Sequence, residues 1–237
     1  MSRSLACSLF CLVLLAGCAT LKDAHLEDIL NTGDGPLDEA TVTAGLKEAL
    51  RVGTERTTLS VGGVDGYLAN ALIRIAIPDD LRQVTDRMRQ VGLGAYVDEL
   101  EVGMNRAAEA AAGEARDVFW SAITSMTIAD AFGILNGDDT AATEYFRERT
   151  AATLEARYRP IVRRKMETVG LARLYEDLLA AYDTIPLTSK PELEPLDRYV
   201  TDRALDGLFS VLATEERKIR EDPAARTSEL LRRVFGG

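Results

Sequence analysis

The chain has 237 residues, with 28 Lys and Arg against 38 Asp and Glu, one His, three Cys and a formal net charge of −10. A length of this order builds one domain, or at most two, with a core large enough to fold unaided. An apolar content of 46% with 28% charged residues excludes disorder and a multi-span membrane protein; the acidic surplus excludes a non-specific grip on nucleic acid, and three cysteines are too few for a disulfide scaffold.

Met1 to Ser4 carry one positive charge, at Arg3, and Leu5 to Leu15 form an apolar run. Its helical length at about 1.5 Å per residue covers roughly half a bilayer core, which suits a signal peptide and not a span. The next residues, Leu15-Ala16-Gly17-Cys18, resemble the lipobox of bacterial lipoproteins. Small residues at Ala16 and Gly17 let an extended segment enter a narrow protease cleft. The resemblance implies a diacylglyceryl thioether on Cys18, cleavage after Gly17 and acylation of the new terminus, palmitate being a typical chain. Each buried CH₂ contributes about 0.8 kcal/mol, so three chains anchor firmly where one is marginal. The competing reading is an ordinary secretory leader followed by a chance cysteine. Ala19 stands where Asp would signal inner-membrane retention, so the expected address is the periplasmic face of the outer membrane. Cys7 and Cys11 leave with the leader, which leaves the mature chain no free thiol and no disulfide.

The expected organisation is a signal peptide at 1–17, the lipidated Cys18 with a flexible tether at 18–37, and one helical domain at 38–237. His25, the single histidine, lies in the tether and reads as a solvated side chain, not a metal ligand. From Asp38 onward apolar residues recur at three- and four-residue spacing, which predicts an all-α fold of about nine helices. The first covers about 37–60, with Val42, Leu46, Ala49, Leu50 and Leu59 inward. Ile73 to Ile77 alternates and is the only strand-like segment; one strand without a partner is not a sheet.

A helix over about 79–91 ends at Gly92 in a Schellman stop, with Met88 and Leu93 as its touching pair. The pattern returns 78 residues later at Met166, Gly170 and Leu171, which reads either as two related helix-turn-helix units from an old duplication or as one good way of ending a helix used twice. Helices between them fall near 95–112, 114–125, 127–136 and 139–158. Thr127 and Asp130 form a capping pair, Asp138 or Asp139 starts the next helix, and Pro160 breaks it. The last two helices cover about 196–220 and the stretch from Asp222-Pro223 through Leu230, Leu231, Val234 and Phe235.

Most catalytic sets are missing. With His25 in the tether and Cys18 acylated, no Ser-His-Asp or Cys-His arrangement is available, and the chain has no GxSxG, HExxH, Walker loop or GxGxxG. No catalytic residue, metal or cofactor is assigned. On the helix near 95–112, Glu101, Asn105 and Glu109 form a stripe at i, i+4 and i+8 with Arg106 beside it. It reads either as a carboxylate-amide pocket for a polar group or as a solvated helix face. Tyr145 and Arg147 sit near a helix start, where an anion site competes with plain core packing. Arg217, Lys218, Arg220, Arg226, Arg232 and Arg233 form the one basic concentration, facing anionic lipid or pairing with nearby acids. The alanines of 107–112 admit a close helix approach, with Phe119 and Trp120 filling the space around them.

The blocks at 91–115, 136–150, 199–223 and 225–236 are similar to a family of bacterial secreted proteins and lipoproteins known only as domain of unknown function 4197. The similarity runs from about Ala44 to Gly236. It implies a helical envelope protein with no established activity or ligand, so no residue roles transfer. The expected function is non-catalytic: binding of an envelope partner or a small apolar molecule in the periplasm, with the membrane reached through the lipid and no nucleic-acid partner. The alternatives are a glycan-acting enzyme with Glu101 or Glu109 as a single acid, and a purely structural assembly factor.

Overall fold

The computed structural model describes residues 38–168, 170–183 and 194–222. The leader, Cys18, the tether with His25, and the expected helix beyond Pro223 with Arg226, Arg232 and Arg233 lie outside them. The described residues form α1 (Glu39–Gly62), α2 (Arg82–Gln90), α3 (Gly94–Ala111), α4 (Ala115–Ser125), α5 (Ile128–Leu135), α6 (Ala141–Thr168), α7 (Leu171–Asp183) and α8 (Leu196–Glu221). They fall into seven continuous runs, not nine. Short 3₁₀ turns at Ala112–Glu114 and Asp79–Leu81 join α3 to α4 and lead into α2. The fold is all-α, with no strand among the described residues.

Local chemistry sets most helix ends. The Asp38 carboxylate accepts the Thr41 N–H at 2.7 Å and caps α1. Thr127 and Asp130 close a full capping box on α5. After α2, the Leu93 N–H donates to Met88 C=O and the Gly92 N–H to Arg89 C=O, with Gly92 at φ +85°. These are the two bonds of a Schellman stop, and glycine holds the left-handed position without a Cβ penalty. Gly170 repeats the φ, at +70°, and its N–H donates to Glu167 C=O.

Three expectations fail for readable reasons. Pro160 lies inside α6 and does not break it. It is exposed, so the carbonyl it leaves unpaired meets water, while Leu154, Tyr158, Val162 and Met166 pin the opposite face into the core. Leu59 is 70% exposed, because Thr57 and Val61 carry the buried face and position 59 is turned about 200° from each. Trp120 is 52% exposed for the same reason, lying between the buried Val118 and Ala122; only Phe119 of that pair is core.

The centre is aromatic. Phe119 meets Phe146 at 5.0 Å between ring centroids and Phe209 at 6.1 Å, which ties α4, α6 and α8 together. Ala108, Ala111 and Ala112 are fully buried and let the end of α1 close in; a Cβ on Gly62 would stand 3.5 Å from the Ala112 Cβ. Three of the buried threonines of α1 are satisfied by donating back one turn, Thr57 to Gly53 C=O and Thr54 to Leu50 C=O at 2.8 Å and Thr58 to Thr54 C=O at 3.0 Å, whereas the buried Thr43 hydroxyl has no partner among the described residues. Between α6 and α8, Asp197 accepts from Arg159 and Arg163 at 3.0 and 2.8 Å. Burial pushes its carboxyl up, but the two guanidiniums outweigh that and hold it below the usual carboxylate range.

Candidate functional site

The stripe on α3 faces inward over most of its length. Asn105 is fully buried and Glu109 nearly so, while Glu101 stands at the margin. Between α1 and α2 the chain crosses this stripe without regular structure, and its course is set by a few residues. Asp65 takes a positive φ of 66°. Gly66 presses so near the end of α1 that a Cβ there would lie 2.4 Å from the Ser60 carbonyl oxygen. From Ile73 the residues then alternate buried and exposed, as an extended chain does.

Each member of the stripe holds part of this segment. Glu109 Oε1 accepts the Tyr67 and Leu68 N–H groups at 3.2 and 3.4 Å, and its Oε2 meets Arg106 at 2.6 Å. Arg106 reaches on to Asp65, also at 2.6 Å. Asn105 Oδ1 accepts the Ile75 N–H at 2.9 Å, and its Nδ2 donates to Ile75 C=O and to Glu101 C=O at 2.8 Å each. A side-chain amide thus occupies the place of a missing strand neighbour. Glu101 pairs with Arg74 at 2.6 Å. Each side chain of the stripe therefore has at least one partner within the chain itself.

From the other side, α8 clamps the same segment. The buried Tyr67 hydroxyl donates to Ala204 C=O at 2.7 Å, and the Tyr199 hydroxyl to Ala76 C=O at 2.9 Å. Burial pushes both phenols up, so each stays a donor at neutral pH. Gly207 permits the approach, because a Cβ there would meet the Tyr67 ring at 2.7 Å. Between the extended segment and α8 lies an open cleft of about 580 Å³. Leu72, Ala76, Asp80, Tyr199, Arg203 and Asp206 are among its walls. Four carboxylates, at Asp79, Asp80, Glu194 and Asp206, stand there against two guanidiniums, Arg74 and Arg203.

Tyr145 does not line the cleft, whereas Arg147 reaches its wall at Asp206. Tyr145 is half-buried against Phe146, and Arg149 stacks on its ring. Arg147 lies 4.4 Å over the Phe209 ring and 3.4 Å from Asp206. The start of α6 is occupied by the chain's own Glu216, whose two oxygens accept the Ala142 and Thr143 N–H groups at 3.0 and 2.9 Å. Arg220 neutralises this buried carboxylate at 2.9 Å and donates to Ile134 C=O. Nearby, Lys218 pairs with Glu215 at 2.6 Å. A small apolar pocket of about 30 Å³ separates α1 from α8 beside Ile219. Among the described residues no group of three or more His, Cys, Asp or Glu is placed to hold a metal ion. No single described helix is long and apolar enough to cross a membrane.

Sequence reasoning missed Arg74, Tyr67, Tyr199 and Glu216. The alternation at 73–77 was the one available signal for the first three; nothing local marked Glu216.

The family described as a protein of unknown function, DUF4197, matches residues 36–236. The chain belongs to this family. The match begins just before the α1 cap, and so takes in the extended segment and both walls of the cleft. No curated protein and no solved structure matches the chain. A family of unknown function assigns no residue roles, so the chemistry of the cleft has to be argued from its own atoms.

Proposed function

We propose that this DUF4197 member is a non-catalytic binding protein of the bacterial envelope. It is anchored through lipid on Cys18 and presents the helical domain to the periplasm from the outer membrane. One observation carries the binding reading. The polar stripe of α3 is spent on shaping the 63–78 segment, and what that segment builds with α8 is a cleft large enough for a ligand. A polar, acid-rimmed cleft favours an envelope partner over a small apolar molecule, which needs several hundred Å³ of apolar cavity; the apolar pocket between α1 and α8 has about 30 Å³. A glycan-acting enzyme is less favoured. Both oxygens of Glu109 are engaged by donors, which leaves it none to offer a leaving group, and one oxygen of Glu101 is held by Arg74.

The anchor rests on Leu15-Ala16-Gly17-Cys18. Metabolic labelling with a palmitate analogue should mark the wild-type chain and be lost completely in Cys18→Ala, with the variant released to the soluble envelope fraction. Undiminished labelling of Cys18→Ala would overturn the anchor.

A further inference from the structure

We infer that the cleft takes an extended, cationic segment of a partner polypeptide, which adds as a short strand to the open edge of residues 74–77. The inference deepens the binding reading above and rests on it.

The geometry begins with Ile75, whose N–H and C=O both face Asn105. In an extended chain successive residues point their backbone groups to opposite sides, so residues 74 and 76 address the side of α8 and the cleft. The Tyr199 hydroxyl, on that side, confirms the direction by donating to Ala76 C=O at 2.9 Å. Arg74 N–H is used locally, donating to Asn70 C=O. Arg74 C=O and Ala76 N–H have no protein partner among the described residues. They flank Ile75 as acceptor and donor. One residue of a parallel strand satisfies both, as do two residues of an antiparallel one. Pro78 brings no N–H, which ends the edge and fixes the register. Unpaired strand edges are templates for added chain, and peptide-binding domains use them in this way.

The surroundings state the chemistry of the occupant. Leu72 is 89% exposed at the mouth, and Tyr199 offers a half-buried ring, so an alternating peptide finds an apolar contact next to its backbone pairing. Asp206 is shared by Arg147 and Arg203, Arg74 is turned to Glu101, and Asp79 pairs with Arg82. Asp80 and Glu194 remain as the uncompensated charges of the cleft and favour Lys or Arg on the incoming segment.

The test uses the full mature chain in detergent and three synthetic peptides: acetyl-(Lys-Val)₃-amide, its Glu-Val counterpart, and the Lys-Val peptide with alternate backbone nitrogens methylated. Binding is read by titration calorimetry, and the Ala76 amide by hydrogen exchange. The expected result is that the Lys-Val peptide binds and slows Ala76 exchange at least tenfold, while the other two bind at least tenfold more weakly. Ala76→Pro removes the free N–H without taking a bond from the fold, and should abolish that binding. Glu194→Gln with Asp80→Asn should weaken it while leaving the Ala76 edge intact. Equal binding of the acidic peptide, or binding that leaves Ala76 exchange unchanged, would overturn the inference. So would failure of the Lys-Val peptide to bind. A membrane-extracted partner that binds Ala76→Pro as well as wild type would refute this docking mode and leave the broader binding reading standing.

Discussion

Asn105→Ala is expected to destabilise the domain by about 2–5 kcal/mol, because it strands two buried backbone groups at once. Among the described residues Asn105 is the one partner of both the N–H and the C=O of Ile75, a residue only 2% exposed. The segment then has two choices. It stays in place with both groups unpaired, or it lifts into water and exposes Ile73, Ile75 and Tyr67, and either costs a similar amount. Asn105→Asp should be no rescue, since a carboxylate keeps the acceptor for the Ile75 N–H but sets charge against Ile75 C=O. Urea unfolding followed by circular dichroism measures this. A midpoint for Asn105→Ala within error of wild type would show that the amide does not hold the segment.

Glu216→Ala should cost about 3–5 kcal/mol, the range for breaking a buried ion pair by removing one partner. The carboxylate accepts the first free N–H groups of α6 and the Thr143 hydroxyl, and pairs with Arg220. Its loss leaves an α6 terminus uncapped inside the protein and takes the Glu216 carboxylate away from the Arg220 guanidinium. Glu216→Gln keeps the shape and one acceptor oxygen, so its loss should be smaller than that of Glu216→Ala. Thermal unfolding of the two variants ranks them, and equal melting temperatures for Gln and Ala would mean the cap is not made through these oxygens.

What could be read in the sequence was what local geometry decides. Gly92 between Met88 and Leu93 announces a Schellman stop because only a left-handed residue closes those bonds, and the bonds are there. Thr127 and Asp130 announce a box because their spacing suits it. Pro160 reads as a breaker yet lies inside α6, since a proline's local cost says nothing of which face it occupies. The stripe of Glu101, Asn105 and Glu109 was visible as a spacing on one helix. Its meaning was not, because its partners lie 27 to 42 residues away along the chain. Glu216 was further out of reach, meeting α6 from 73 residues away with no local mark. The alternation of 73–77 has no partner strand in the sequence because its partner is the Asn105 side chain.

Residue-resolved hydrogen exchange of the mature chain tests the central claim most directly, since it compares two adjacent amides. The Ile75 N–H, held by Asn105, should exchange as slowly as the surrounding helical core. The Ala76 N–H, facing the cleft, should exchange orders of magnitude faster. Fast exchange at Ile75, or equal protection of the two amides, would contradict an α3 stripe that builds the cleft and leaves its edge open.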